Sequence, residues 1–223
     1  MHIRELTIKT ANLQELYEFY AGVLSLEVDD DSLDDGQLII NAGNSVLIFE
    51  KSEAIRNPVY HFAFNIPSNK IEEAHEWLRD KVDLIWLSDY NSNIAEFTGW
   101  RARSLYFYDP AGNIVEFIAR TDLKDNSTIP FSELQIRNIS EVGIVFPSNS
   151  YGDHVKDLLG KFGLTWFGKQ PPQEQFCAVG DDEGLFIVVP ENRAWYPTED
   201  SHATIAPLKV KFLAGDKMYS FRQ

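Results

Sequence analysis

The chain has 223 residues, a formal net charge of −14, 44% hydrophobic and 13% aromatic residues and one cysteine. That is enough chain for one large domain or two small ones with a sizeable core, and it is not the composition of a disordered protein. A surface this acidic repels phosphate backbones, so nucleic acid is not an expected partner; no apolar run reaches membrane-span length, and the opening MHIRELTIKT has no signal-peptide core. The lone Cys177 excludes a disulfide framework and suits a reducing cytoplasm.

In chain order, 3–10 (IRELTIKT) alternates as a strand. Leu6 and Ile8 face one side, and Ile3, Glu5, Thr7 and Lys9 the other. Asn12 has the pattern of an N-cap, with Glu15 three residues on, and Leu13, Leu16, Tyr17, Tyr20 and Leu24 follow at helical spacing. Strands are then expected over 24–28, 37–41 and 45–50. The order is β-α-β-β-β, and it starts again at 59–66 (VYHFAFNI), where His61 lies on the face opposite Tyr60, Phe62, Phe64 and Ile66. Ser68 caps a helix carrying Ile71, Ala74, His75 and Leu78, a short strand covers 84–87, and a long polar loop with Trp100 covers 88–103.

The stretch 104–120 (SLYFYDPAGNIVEFIAR) is a hairpin. Pro110 suits the second position of its turn, and Gly112 or Asn113 tolerates positive φ. In its second strand Val115, Phe117 and Ala119 point one way, and Ile114, Glu116 and Ile118 the other. Glu116 is either a solvated residue of a surface strand or a carboxylate placed in a cleft. Residues 122–136 are polar, broken by Pro130, and expected to be a linker. ISEVGI at 139–144 repeats IRELTI, so Glu141 falls where Glu5 did. A helix with Val155, Leu158, Leu159 and Phe162 and strands over 165–168, 176–179 and 185–189 complete a third module. PLKVKFL at 207–213 matches VYHFAF and begins a fourth, with Lys209 where His61 was.

A turn Asp-Pro-x-Gly-Asn followed by two apolar residues, Glu and Phe (Asp109 to Phe117) resembles the signature of the vicinal oxygen chelate superfamily, which includes glyoxalase I, extradiol dioxygenases, fosfomycin-resistance transferases and bleomycin-binding proteins. The resemblance implies an α+β fold in which β-α-β-β-β modules form curved, partly open mixed sheets with helices outside. It implies a complete domain over 1–121 (modules 3–53 and 57–121), then the linker 122–136, then a third and a truncated fourth module over 137–223. It further implies a metal site from the inward residues of the first strands and the last-hairpin carboxylate: Glu5, His61 and Glu116. Ile48, at the module-one counterpart of Glu116, is not a ligand type, so a four-ligand glyoxalase site is not expected. The metal would be Mn, Fe, Ni or Zn, with Glu5 making the set harder than two histidines would. Arg101, Arg103 and Tyr106 are the candidate substrate-binding residues.

The second half is expected to lack a metal site, with Glu141 and Lys209 paired across its cleft, and to cover the first cleft or mediate a homodimer. Trp166, Phe167, Trp195 and Tyr196 are the aromatics available for that surface, though ordinary core is the simpler reading of each. Two functions follow. One is a glyoxalase- or dioxygenase-like enzyme that chelates vicinal oxygens of a small molecule. The other is a non-catalytic small-molecule binder of the bleomycin-resistance kind.

Overall fold

In the computed structural model, which describes residues 1–54 and 58–223, module one contributes β1 (His2–Thr10), α1 (Leu13–Tyr17), β2 (Val28–Asp29), β3 (Gln37–Ala42) and β4 (Ser45–Lys51). Module two contributes β5 (His61–Ile66), α2 (Ile71–Leu78), β6 (Ile94–Phe97), β7 (Ala102–Tyr108) and β8 (Ile114–Arg120). Module three is β9 (Asn138–Phe146), α3 (Tyr151–Phe162), β10 (Cys177–Asp181) and β11 (Gly184–Pro190), and the hairpin β12 (Leu208–Ala214) and β13 (Lys217–Arg222) follows. The expected boundary of module two at residue 57 lies outside the described residues.

In each full module the first strand runs parallel to the last: β1 with β4, β5 with β8, β9 with β11. A parallel neighbour requires a crossover, and the helix after each first strand lies on that connection. First strands of different modules then pair antiparallel, and here the pairing departs from expectation. β1 pairs with β12, and β5 pairs with β9. The six-stranded sheet runs β13-β12-β1-β4-β3-β2, and the seven-stranded sheet runs β10-β11-β9-β5-β8-β7-β6. Modules one and two therefore do not close one cleft. Module two shares its sheet with module three, and the pairing crosses the expected 1–121 division in both sheets. The architecture is α+β with mixed sheets, one of them strongly curled into a half-barrel.

The faces follow the sequence alternation. Phe62, Phe64, Val115 and Phe117 of the seven-stranded sheet join Leu6, Ile8, Leu47 and Phe49 of the other sheet and the buried helix residues in the main core. The opposite face of the seven-stranded sheet is also buried, with Tyr106, Ile114, Leu185, Ile187 and Trp195 in a second cluster. Strand β8 is buried at every position, which rules out the solvated-strand reading of Glu116.

Several local expectations shift. The segments 84–87 and 165–168 form isolated bridges, Leu84 with Phe107 and Trp166 with Val179, and not strands. The polar loop contains β6, paired with β7. The segment between β8 and β9 is packed: Phe131 is buried against Trp77 and Phe117, and Arg137 pairs with Asp125 at 2.6 Å. Asn12 makes no side-chain capping bond, and the Ser68 hydroxyl donates to the Arg120 carbonyl at 2.8 Å. The final strand, β13, returns directly from β12 through Gly215 at φ 57°, the left-handed conformation glycine takes without strain.

Glu5 lies in the six-stranded sheet, where Lys209 Nζ donates to Oε1 at 3.0 Å and Lys211 Nζ to Oε2 at 2.6 Å. Burial alone would raise its carboxyl, but hydrogen bonds from Lys211 and Lys209 outweigh that and hold it below the ordinary value. A depressed carboxylate contributes stability that is full above the unfolded-state pKa and is lost as pH falls through the folded-state value. Glu5→Gln should therefore destabilise the fold by about 0.5–1 kcal/mol at pH 7, the range of partly exposed ion pairs. The gap should close as pH drops below about 4.3. Urea unfolding of parent and variant across that window checks this, and a gap that widened in acid would contradict it.

Candidate functional site

The second face of the seven-stranded sheet brings three ligand-type side chains together. His61 comes from β5, Glu116 from β8 and Glu141 from β9. The register sets Ala63 opposite both Glu116 and Glu141, so the carboxylates flank the central strand with His61 two residues along it. One donor atom from each lies within 4.8 Å of the others, and all three residues are buried. His61 Nε2 is 3.6 Å from Glu116 Oε2.

The environment sets the protonation states. His61 Nδ1 lies 3.2 Å from the Ile114 carbonyl oxygen. A carbonyl can only accept, so Nδ1 carries the proton and the Nε2 lone pair is left free. Burial pushes the His61 pKa down to about 4, so the ring is neutral at physiological pH. Burial, and then the facing Glu141 carboxylate, hold Glu116 above the usual carboxylate range. Burial also raises Glu141, against the pull of the Arg120 guanidinium. Arg120 contacts Glu141 Oε1 through Nη2 and is fully buried. Tyr106 stands opposite Glu116 in the β7–β8 register, and burial followed by the two glutamates keeps its phenol protonated. The Ser104 hydroxyl is near enough to favour the Glu116 carboxylate but not in hydrogen-bonding geometry, and it has no other protein partner.

His61, Tyr106, Glu116 and Glu141 line a cavity of about 240 Å³. Its walls are aromatic and come from both halves: Phe97 and Trp100 from the β6–β7 region, Phe176, Trp195 and Tyr196 from beyond β9. Gln170, Gln173 and Arg193 add polar groups. The segment bearing Trp195 is tied down by the Ala194–His202 bridge and by the bond from Trp195 N to the Ser201 carbonyl at 2.8 Å. The Trp195 ring lies 5.4 Å from the His61 ring, centroid to centroid.

The sequence-derived candidates divide. His61, Glu116 and Tyr106 meet at the cavity. Glu5 does not, because its strand belongs to the other sheet and its carboxylate is held by two lysines. Glu141 takes the place expected of Glu5. The expected Glu141–Lys209 pair is not formed, since these residues lie in different sheets and Glu141 pairs with Arg120. Arg101 is exposed and paired with Asp122 at 2.8 Å, and Arg103 pairs with Glu72 on α2; neither lines the cavity. Of the aromatics proposed for a covering surface, Phe167 and Trp195 are buried and Tyr196 lines the cavity, while Trp166 is partly exposed. The repeat ISEVGI against IRELTI already marked Glu141 as equivalent to Glu5; which of the two faces His61 depends on module pairing.

A carboxylate pair beside a neutral imidazole nitrogen is a donor set for a divalent ion of the Mn, Fe, Ni or Zn type. The Nδ1–H bond to a backbone carbonyl is the outer contact that orients metal-binding histidines. Glu116 holds its proton in the metal-free site and Glu141 is paired with Arg120, so a metal ion would bind by displacing that proton and sharing the Glu141 carboxylate with the guanidinium. The residues present fit the group.

No family model matches the sequence, and no curated protein matches it. Among solved structures, a Bacillus subtilis protein named "putative dioxygenase" aligns over 100% of this chain and 84% of its own, with 16% identity and a TM-score of 0.60. A lactoylglutathione lyase from Agrobacterium tumefaciens (20% identity, 52% of this chain, 90% of that chain, TM-score 0.42) aligns over about half of this chain. So does a glyoxalase/bleomycin resistance protein/dioxygenase from Nocardioides (22% identity, 54% of this chain, 83% of that chain, TM-score 0.43). The full-length likeness, at this identity, is one of fold: the chain has the vicinal oxygen chelate fold.

Gly143, two residues from Glu141 on the same face, clears the space for Trp195. A Cβ there would come within 2.6 Å of Trp195 Cη2 and 3.2 Å of the His61 carbonyl oxygen. Gly143→Ala should displace the indole, cost about 1–3 kcal/mol as overpacking does, and shift the tryptophan emission. Chemical unfolding with fluorescence detection tests this, and an unchanged spectrum and midpoint would contradict it.

Proposed function

We propose that this chain of the vicinal oxygen chelate fold is a metal-dependent enzyme acting on a small molecule in the cavity shared by modules two and three. The supporting observation is the convergence of His61 Nε2 and the Glu116 and Glu141 carboxylates within 4.8 Å in the lining of that cavity. The functional unit in this reading is 58–190 with the covering segment 193–203, not 1–121. His61, Glu116 and Glu141 would hold the ion, which supplies Lewis acidity toward adjacent oxygens of a bound molecule.

The chain's own groups have separable tasks. The Nδ1–H bond to the Ile114 carbonyl fixes the His61 tautomer and keeps Nε2 a lone-pair donor at neutral pH. Glu116, held above the usual carboxylate range by burial and by Glu141, would release its proton on taking up the ion, so metal binding would be linked to pH. Tyr106, whose phenol stays protonated, is a hydrogen-bond donor for a ligand oxygen beside Glu116. The aromatic walls exclude water and strengthen every electrostatic contact inside. The reaction type, whether isomerisation, addition or ring opening, follows from the ligand. The proposal includes a small-molecule partner, a homodimer and a cytoplasmic setting, the last in keeping with a single, buried, free cysteine. Among the described residues no helix is long and apolar enough to cross a membrane.

The second reading is a non-catalytic binder of the bleomycin-resistance kind. It is supported by the aromatic walls and by Arg120, which already neutralises one of the two carboxylates.

Elemental analysis after supplementation with Mn, Fe, Ni and Zn separates the two. Near-stoichiometric metal is expected in the parent and in Glu5→Ala, with roughly tenfold or greater loss of affinity in His61→Ala, Glu116→Ala and Glu141→Ala. Metal-free parent protein with the variants equally stable, together with thermal stabilisation by ligands in excess chelator, would favour the binder.

A further inference from the structure

We infer that Arg120 is a resident cation of the site, competing with a divalent ion for the Glu141 carboxylate and so setting the site's metal affinity. This inference rests on the metal reading above.

Arg120 ends β8, four residues after Glu116, and so lies on the same face of the strand. It is fully buried. Its Nη2 contacts Glu141 Oε1, and Glu141 is one of the three candidate ligands. The guanidinium is held from its other side as well. Nε donates to Ser140 Oγ at 3.3 Å and Nη1 to Asp182 Oδ1 at 3.5 Å. Asp182 is in turn fixed by Lys169, at 2.8 and 2.7 Å, and Lys169 also pairs with Asp122 at 2.8 Å. The guanidinium carbon lies 5.7 Å from the centre of the Trp100 ring and 5.9 Å from that of Phe167. The cation therefore has a built seat that does not depend on Glu141 alone.

Two consequences follow. In the metal-free protein Arg120 supplies the counter-charge that a buried carboxylate requires, because an unpaired charge there is strongly unfavourable. When a divalent ion approaches, the same guanidinium repels it and occupies one Glu141 oxygen, in a setting where charges act over short distances with little screening. Arg120 thus stabilises the empty site at the expense of the filled one. A residue that merely oriented Glu141 for the ion would have the opposite effect, since loss of such outer contacts typically weakens metal binding about 10–100-fold.

The test is titration of Mn²⁺ and Zn²⁺ into the full chain stripped with chelator, followed by calorimetry, for the parent, Arg120→Met, Arg120→Gln and Arg120→Lys. The two variants that lose the charge should bind roughly tenfold or more tightly than the parent. Their metal-free forms should melt lower and recover when the ion is added. Arg120→Lys, which keeps the charge, should bind within a few-fold of the parent. Arg120→Gln retains a hydrogen-bond donor for Glu141 and covers the case in which Arg120→Met does not fold. In the parent, NMR of nitrogen-labelled arginine side chains reads the same contact, and the Arg120 signals should shift when Zn²⁺ is added. If the parent binds metal and the neutral variants bind equally or more weakly, or the Arg120 signals do not move, the inference fails while the metal reading survives. If no form binds either ion, both fall together.

Discussion

Two carboxylates buried side by side on one face of a sheet are the constraint around which this molecule is built. Glu116 and Glu141 are each at most 3% exposed. Burying charge without compensation is strongly unfavourable, so the surroundings must answer it by pairing, by protonation or by a bound cation. Arg120 answers for Glu141. Glu116 has the neutral His61 at 3.6 Å, the phenol of Tyr106 and the unpartnered Ser104 hydroxyl near it, and no ion-pair partner among the described residues other than that neutral histidine. Burial and the neighbouring Glu141 answer for Glu116 by holding its proton.

The rest of the architecture serves that arrangement. A parallel pair, β5 with β8, and an antiparallel pair, β5 with β9, put the three donors on adjacent strands in register. The second core on the same face anchors the walls, and Gly143 lets Trp195 approach His61. The six-stranded sheet repeats the plan with other side chains. There Glu5 pairs with two lysines where Glu141 pairs with Arg120 near His61, and Ile48 stands where Glu116 would be. One module pair gathers His61, Glu116 and Glu141, and the other forms an ion-paired sheet face.

Much of this was legible in the sequence because alternation within a strand is local. The turn at Asp109 to Asn113, the inward Glu116, the inward His61 and the repeat of first strands all follow from residues a few positions apart. Module pairing is not local. Whether β5 lies beside β1 or β9 depends on which sheet faces complement each other across the whole chain, and Glu5 and Glu141 carry the same strand pattern. The expectation that consecutive modules one and two form the cleft therefore put Glu5 beside His61 and Glu116, where the strand pairing puts Glu141. Arg101 and Arg103 misled for a related reason: a cation beside a cleft-forming strand reads as a ligand contact, yet each is paired with an acid away from the cavity. Arg120 carries no sequence signal because an arginine at a strand end ordinarily reaches solvent; here it is buried beside Trp100 and Phe167 and held by Ser140, Glu141 and Asp182.

The most direct test of the site is crystallography of the protein soaked with Mn²⁺, with anomalous scattering used to locate the ion. The account predicts one strong anomalous peak within bonding distance of His61 Nε2 and of carboxylate oxygens of Glu116 and Glu141. A peak at Glu5, or an empty site with the Arg120–Glu141 pair intact at saturating Mn²⁺, would contradict it.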